Sequence, residues 1–276
     1  MLGSDMTAAA ARAGHETTCV DFPDIDITRP QSVQTRVTAA APQVIINCAA
    51  YTAVDACETN AAAAFAVNAD GAQNLARAAQ EAGAVLVHYS TDYVFDGAKN
   101  GPYVETDAAN PATVYGKSKL KGERLAHEAC SRLIILRIAW LYGKNGGNFV
   151  RSIRAAAQKN AAAGTPLRVV NDQRGTPTYT VDVCNQTFAL IAADRPGLYH
   201  ATNEGACTWF DFAQEIVACA RIPVDLRPCT TAEFPRPAPR PKNSILENAE
   251  LKKLGLNIMP DWKDGFKRFL EEEKLS

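Results

Sequence analysis

A tyrosine and a lysine stand four positions apart in the run Tyr115-Gly116-Lys117-Ser118-Lys119. On a helix this spacing places both side chains on one face. A nearby ammonium favours the phenolate and lowers the tyrosine's pKa from its usual value of about 10. Such a pair can exchange a proton with a carbonyl oxygen, which is the acid–base chemistry of a hydride-transfer enzyme.

A hydroxyl at the end of a predicted strand adds to this signal. The apolar run 84–90 predicts a buried strand, and Thr91 follows it directly. The stretch 92–111, rich in Gly, Asp, Asn and Pro, predicts a loop that leads to the helix of Tyr115 and Lys119. Open α/β sheets bind ligands beyond the carboxyl ends of their strands. We therefore predict that these three side chains converge on a carbonyl substrate.

Strand-like and helix-like segments alternate, which predicts an α/β fold with a Rossmann-like, doubly wound parallel sheet. The predicted strands span 17–22, 43–47, 84–90, 133–139, 167–170 and 198–201. The predicted helices span 28–40, 60–83, 149–158 and 181–193, with another that Thr208 caps. Thr28 to Gln31 has the form of a capping box for the first of them. The proline-rich run 234–241 indicates a smaller C-terminal lobe. We predict an NAD(P)-binding domain over 1–145 and a mainly substrate-binding lobe over 146–276, some of whose segments return to the main sheet.

Composition narrows the class of protein. Hydrophobic residues make up 47% of the 276 residues and charged residues 21%, which excludes a disordered chain. The formal net charge is -1 and there is no basic block, so we expect neither nucleic acid nor a membrane surface as partner. Eight cysteines without a C-x-x-C pair favour reduced thiols and a cytoplasmic protein. Four scattered histidines give no metal cluster, so no metal site is predicted.

Longer motifs resemble the dTDP-4-dehydrorhamnose reductase branch of the extended short-chain dehydrogenase/reductase family. Two of them are specific: Ser90-Thr91-Asp92-Tyr93-Val94-Phe95, and the later Arg240-Pro241 with Ser244 and Leu246. The resemblance spans nearly the whole chain and is carried by 47–55, 67–68, 88–97, 115–119, 136–143, 148–149, 172–178, 240–246 and 260–262. It implies a nucleotide-sugar substrate, NADPH or NADH as cofactor, and reduction of a 4-keto group of dTDP-4-dehydro-L-rhamnose.

The resemblance also implies roles for individual residues. Tyr115 would donate the proton to the keto oxygen, Thr91 would hydrogen-bond that oxygen, and Lys119 would lower the tyrosine's pKa and hold the nicotinamide ribose. The residues placed on the substrate are Thr91, Asp92, Tyr93, Trp140, Asn148, Arg240 and Asn243. Those placed on the cofactor are Gly3, Asp21, Asp26, Ile27, Cys48, Ala49, Ala50, Tyr51, Asn68, Tyr115 and Lys119. Some family members are described as magnesium-linked dimers, so Mg²⁺ and a monomer or homodimer both stay open.

Neighbouring functions differ at identifiable positions. Sugar-nucleotide dehydratases of the superfamily carry an acid directly after the Thr-Asp pair, where this chain has Tyr93, so we reject that activity. A 4-epimerase uses the same three residues, but the run around Thr91 resembles the reductases. A non-catalytic nucleotide-sensing subunit, like the regulatory subunit of methionine adenosyltransferase, is the alternative from another class.

The cofactor loop is the incomplete part of the pattern. Gly3 matches the last glycine of the family's glycine-rich fingerprint, and neither a strand nor further glycines stand before it. Either Met1 is an internal methionine of a longer protein or the chain is a variant without that strand. In both cases we expect weaker NAD(P)H binding than in a version extended upstream. Asp21, 18 positions after Gly3, fits a contact to the adenosine ribose and slightly favours NADH.

Overall fold

The computed structural model describes residues 1–273. The strands are β1 Val44–Asn47, β2 Val85–Thr91, β3 Leu133–Ile138, β4 Leu141–Tyr142, β5 Leu167–Val170, β6 Arg174–Gly175, β7 Thr178–Tyr179, β8 Gly197–His200, β9 Cys207–Thr208 and β10 Leu226–Cys229. The helices are α1 Leu2–Arg12, α2 Pro30–Ala40, α3 Val54–Thr59, α4 Ala61–Phe65, α5 Gly71–Ala82, α6 Val114–Ala129, α7 Phe149–Ala163, α8 Thr180–Ala192, α9 Trp209–Cys219, α10 Ala249–Lys253 and α11 Trp262–Glu272. A π-helical turn, Ala66–Asp70, joins α4 to α5, and short 3₁₀ turns cover Asp92–Val94 and Thr231–Glu233.

The main sheet is parallel and runs in the order β1-β2-β3-β8. Every residue of β2 is buried, as its continuous apolar sequence predicts. One face packs against α1 and α8 through a cluster that includes Met6 and Leu190. The other face packs against α2, α5 and α6 through Val33 and Leu75. Helices thus cover both faces, which confirms the α/β, Rossmann-like prediction.

Local signals in the sequence set several element ends. Gly83 ends α5 in the left-handed conformation, with φ of 68°. The Thr113 hydroxyl accepts a hydrogen bond from the Gly116 amide and begins α6. At the start of α9, Thr208 and Asp211 cap each other's backbone amides. These ends agree with the predicted ones to within a residue or two.

Two predictions in the first 30 residues are wrong. No strand forms over 17–22; residues 11–24 are all exposed. Within residues 1–273 no strand lies beside this segment to pair with it. A strand without a neighbour leaves its backbone groups without hydrogen-bond partners. The capping box at Thr28 is also absent, because its hydroxyl donates to Asp26 Oδ1, and α2 begins at Pro30 without a side-chain cap.

The part of the chain after β3 builds smaller layers beside the main sheet. Three two-stranded ribbons form there: β4 with β7, β5 with β10, and β6 with β9. Aromatic side chains fill the space between α9 and α11, with Tyr142, Phe212 and Phe269 fully buried. β8 lies in this half of the chain but pairs with β3 in the main sheet. None of the helices within 1–273 has both the length and the apolar character needed to cross a membrane.

Candidate active site

The end of β2 and the start of α6 bring the predicted catalytic residues together. Thr91 is the last residue of β2, and Tyr115 lies in the first turn of α6. Gly116 allows this approach, because a Cβ there would lie 2.1 Å from the carbonyl oxygen of Tyr93. The rings of Tyr93 and Tyr115 meet edge to face, with centroids 5.5 Å apart. The Thr91 side chain lies near enough to Tyr115 to lower the pKa of its phenol.

Lys119 is an ammonium inside the protein. Its side chain is only 2% exposed, and Nζ donates a hydrogen bond of 2.6 Å to the carbonyl oxygen of Tyr89. Burial lowers the pKa of Lys119 to about 8, while the Glu123 carboxylate acts in the opposite direction. Glu123 is itself held by the Arg137 guanidinium, at 2.7 Å and 2.9 Å. The ammonium is therefore fixed one helical turn from Tyr115, at the carboxyl end of β2.

Burial dominates the pKa of Tyr115 in this structure, and the effect of Lys119 on that pKa stays a prediction. Burial raises the pKa of Tyr115 above its ordinary value, and the Asp92 carboxylate adds to the increase. The side chain of Thr91 acts in the other direction. A phenol that stays protonated at neutral pH is suited to donate a proton, which is the role that a ketone reduction requires.

Asp92 lies behind Thr91 and is buried, with 3% of its surface exposed. The Thr91 hydroxyl donates to Asp92 Oδ1 at 2.8 Å, and it accepts a hydrogen bond from the Tyr93 amide at 3.2 Å. Asp92 Oδ2 is buried without a hydrogen-bond partner. Burial raises the pKa of Asp92 to about 6, and the hydroxyl groups of Thr91 and Ser244 limit this increase.

Trp140 follows β3 in a strained conformation, with φ of 47°. Its indole stacks on Trp209 of α9 with centroids 3.4 Å apart and planes 5° from parallel. Its Nε1 donates to Ser244 Oγ at 3.1 Å. Gly175 leaves room for the ring, since a Cβ there would lie 2.3 Å from it. Trp140 was predicted to contact the substrate, whereas Trp209 and Ser244 were given no role. Signals for both were present, because Ser244 lies in a specific motif and Trp209 follows the predicted cap Thr208.

Three other predicted substrate residues use their polar atoms inside the protein. Arg240 pairs with Asp55 at 2.9 Å. Asn243 Nδ2 donates to the carbonyl oxygens of Lys99 and Gly101. The Asn148 side chain caps α7 and donates to the carbonyl oxygen of Gly143. Of the three, Arg240 lies next to the site, lining a small cavity with Tyr93 and Thr113. Their contacts with substrate stay predictions.

Several residues predicted to bind the cofactor form a loop after β1. Asn68, 1% exposed in the π-helical turn, clamps Tyr51: its Oδ1 accepts from the Tyr51 amide, and its Nδ2 donates to the Tyr51 carbonyl and to Ser118 Oγ. Cys48, Ala49 and Ala50 connect β1 to this clamp. Gly3, in the first turn of α1, packs on Cys48: a Cβ there would lie 3.5 Å from the Cys48 Cβ.

The residues predicted to face the adenosine half are placed differently. Asp21 lies in the exposed segment rather than at a strand end, and its Oδ1 accepts from the Phe22 amide. Asp26 accepts from Thr28 and pairs with Arg29, which lowers its pKa. Ile27 packs on Gly71. The strand-end position of Asp21 was therefore wrong, and the contacts of these residues with a cofactor stay predictions.

The chain is similar to known proteins over nearly its whole length. Residues 1–275 match the family described as RmlD substrate binding domain. The chain is 40% identical to dTDP-4-dehydrorhamnose reductase of Streptomyces griseus, over 95% of this chain and 88% of that protein. It is 38% identical to a probable dTDP-4,6-dihydroxy-2-methyloxan-3-one 4-ketoreductase of Streptomyces antibioticus, over 97% of this chain and 90% of that protein. The crystal structure of dTDP-4-dehydrorhamnose reductase from Bacillus anthracis in complex with NADP superimposes with a TM-score of 0.93 and 38% identity, covering 98% of this chain and 95% of that one.

Proposed function

The chain belongs to the RmlD substrate binding domain family, and from this we propose that it reduces the 4-keto group of dTDP-4-dehydro-L-rhamnose to give dTDP-L-rhamnose, with NADPH or NADH as reductant. The observation that carries the proposal is the meeting of Thr91, Tyr115 and Lys119 at the carboxyl end of β2. A hydroxyl, a protonated phenol and a buried ammonium are the groups that a ketone reduction needs.

Tyr115 is the proton donor in this proposal. Its raised pKa keeps the phenol protonated until the keto oxygen gains negative charge. Thr91 hydrogen-bonds the same oxygen and holds it against the phenol. Lys119 places a positive charge one helical turn away, which stabilises the phenolate left after proton transfer. The ketone is thereby polarised from one side, by groups that the protein holds in place before substrate arrives.

The described residues fit a nicotinamide cofactor on the side of Lys119. The buried ammonium has donors left after its bond to the Tyr89 carbonyl, and these can reach a ribose hydroxyl. The loop of Cys48 to Tyr51, clamped by Asn68, lies beside the first turn of α1, where Gly3 offers a backbone surface without a side chain. NAD(P)H, when bound, supplies the hydride for the C4 carbon.

Trp140 and Trp209 form the wall that we assign to the sugar. The stacked indoles lie beside Ser244, which faces Asp92 and so reaches the catalytic end of β2. Flat aromatic faces bind the apolar face of a sugar ring. Tyr93, edge-on to Tyr115, lines the opposite approach together with Arg240. We place the nucleotide on the side of Arg240, where release from Asp55 frees a guanidinium for phosphate.

The test is a direct assay with two substrates. Purified protein is mixed with dTDP-4-dehydro-L-rhamnose and either NADPH or NADH, and the loss of nicotinamide absorbance is followed while NMR identifies the sugar formed. We expect oxidation of the cofactor with appearance of dTDP-L-rhamnose. A dTDP-linked 4-keto deoxysugar of the kind reduced by the Streptomyces antibioticus relative is the competing substrate. Faster turnover of that sugar would make it the preferred substrate of this ketoreductase. No turnover of either sugar would refute the proposed function.

Three further points belong to this proposal. Residues 1–145 hold the cofactor and 146–276 mainly the substrate, with β8 as the segment that returns to the main sheet. The protein acts in the cytoplasm, where nucleotide sugars are made, as a monomer or homodimer. Mg²⁺ stays open as an additional cofactor, although residues 1–273 contain no group of three or more His, Cys, Asp or Glu side chains suited to hold a metal ion.

A further inference from the structure

A continuous line of side chains connects the proton donor with a buried carboxyl group. Thr91 lies beside Tyr115, and its hydroxyl donates to Asp92 Oδ1 at 2.8 Å. A hydroxyl that both accepts and donates can pass a proton along such a line. Asp92 is therefore separated from the hydroxyl of Tyr115 by one side chain, that of Thr91.

Asp92 lacks the cationic partner that two other buried carboxylates have. Glu123 and Asp182 each receive two hydrogen bonds from a guanidinium, those of Arg137 and Arg268. Both are thereby paired with a cation. The hydrogen bond to Asp92 Oδ1 comes from a neutral hydroxyl, and its Oδ2 is buried without a partner. A carboxyl group in such surroundings is suited to carry a proton near neutral pH.

On the premise of the proposed reduction, we propose that Asp92 holds the proton that restores Tyr115 after each turnover, delivering it through the hydroxyl of Thr91. The donation of the phenolic proton to O4 leaves Tyr115 as a phenolate. The Thr91 hydroxyl proton moves to the phenolate oxygen as the Asp92 carboxyl proton moves to Thr91 Oγ1. One O–H bond breaks and one forms at each oxygen, no electrons are exchanged, and the Asp92 carboxylate then takes a proton from water.

The groups around Asp92 are compatible with this cycle. The titratable groups that face it are Tyr93, on the same turn, and Tyr115, on α6, and the pKa of each is raised above its ordinary value. The nearby cations are directed elsewhere: the Lys119 ammonium to the Tyr89 carbonyl, and the Arg240 guanidinium to Asp55. Ser244, on the segment that also binds Trp140, contributes an uncharged hydroxyl. Burial raises the pKa of Asp92 to about 6, so the carboxyl can both hold and release a proton in the working range.

The variant Asp92→Asn removes proton storage but keeps the shape of the side chain, because the amide has the size of the carboxyl but cannot titrate. In rapid mixing of NADPH-loaded protein with the keto sugar, we expect the first turnover to fall far less than steady-state turnover, since Tyr115 already carries its proton. Steady-state turnover should fall by about tenfold or more, because each later cycle waits for a proton from elsewhere. Asp194→Asn, the same change at an exposed pair with Arg132, is the control and should leave both rates unchanged.

A measurement on the unmodified protein tests the same idea without a variant. Steady-state turnover should decline as pH rises through the pKa of Asp92, while the first-turnover rate stays level. Asp92→Asn should lose this decline. Equal loss of first-turnover and steady-state rates in Asp92→Asn would show that the side chain only shapes the site and would overturn the proposal. A steady-state rate and pH profile in Asp92→Asn like those of the unmodified protein would also overturn the proposal. Absence of any turnover in the unmodified protein would instead refute the reductase function.

Discussion

The proton-handling side of the site and the segment predicted to hold the adenosine half of the cofactor are built in opposite ways. Thr91, Asp92 and Lys119 are each at most 5% exposed and hydrogen-bonded at fixed positions. Asp21 lies within the exposed stretch 11–24 and contacts the amide next to it. Thr91 and Asp92 lie at the end of a central strand with neighbours on both sides, and Lys119 bonds to that strand from α6. Asp21 has no strand beside it within residues 1–273.

This difference shows what fixes a polar group in an α/β protein. A side chain at the end of a central parallel strand is held by the pairing of the strand on both sides, so its position is set before any ligand binds. The cost is burial of groups that prefer water, which appears as the raised pKa of Asp92 and the lowered pKa of Lys119.

Tyr115→Phe should have the largest effect. The variant keeps the ring that packs on Tyr93 and removes only the phenolic proton. We expect kcat to fall by about 10²-fold or more, the range for loss of a general acid, with NADPH affinity changed less than about twofold. Steady-state kinetics and a fluorescence titration of NADPH give the two values. Turnover like that of the unmodified protein would show that the proton comes from another group.

Asp92→Asn should stabilise the protein above pH 6. The pKa of Asp92 is raised from 3.8 to about 6, so its contribution to stability is full below about pH 4 and is lost as pH rises to 6. The amide does not ionise and escapes this loss. We expect its free energy of unfolding to exceed that of the unmodified protein by about 2 kcal/mol at pH 8, with the gap closing near pH 4. Urea unfolding at both pH values measures it, and a less stable variant at pH 8 would mean that the carboxylate is well solvated.

Trp209→Ala should weaken substrate binding more than catalysis. The stack with Trp140 helps to hold that indole at its unusual φ of 47°. Loss of an aromatic pair costs about 0.5–1.5 kcal/mol, so we expect KM for the sugar to rise by about tenfold at most while kcat changes by less than about threefold. Trp209→Phe keeps a stacking surface, so its KM should lie between those of the unmodified protein and Trp209→Ala. Unchanged KM in Trp209→Ala would show that Trp140 is held by Ser244 and Gly175 alone.

Features that depend on residues close together in the sequence are predicted well, whereas features that depend on contacts with distant residues are predicted poorly. Gly83 and Thr208 carry the stop and start signals of their helices, and the burial of β2 follows from its apolar run. Tyr115 and Lys119 share a helical face whatever surrounds them. A strand over 17–22 needs a partner, however, and the direction of the Tyr115 pKa depends on burial.

The roles of other side chains became visible only with the fold. Trp209 meets Trp140 from 69 positions away, and Ser244 meets it from 104 positions away, so no local pattern joins them. Asn68 was predicted beside the cofactor, and the structure shows that it clamps the Tyr51 backbone. Contacts of this kind depend on the packing of whole elements.

Asp21→Ala should have the smallest effect and tests the exposed side of the comparison. In the described structure Asp21 is solvent-exposed and its carboxylate bonds only to the adjacent Phe22 amide, so its removal leaves the packed elements unchanged. We expect the affinities for NADH and NADPH to change by less than about twofold, as for most exposed substitutions, measured by titration of nicotinamide fluorescence. A loss of about tenfold in NADH affinity, with NADPH affinity retained, would mean that 17–22 forms a strand when cofactor binds and that Asp21 then contacts the ribose. Asp24→Ala, in the same exposed stretch, is the matched control, because a similar loss there would reflect charge alone rather than a specific contact.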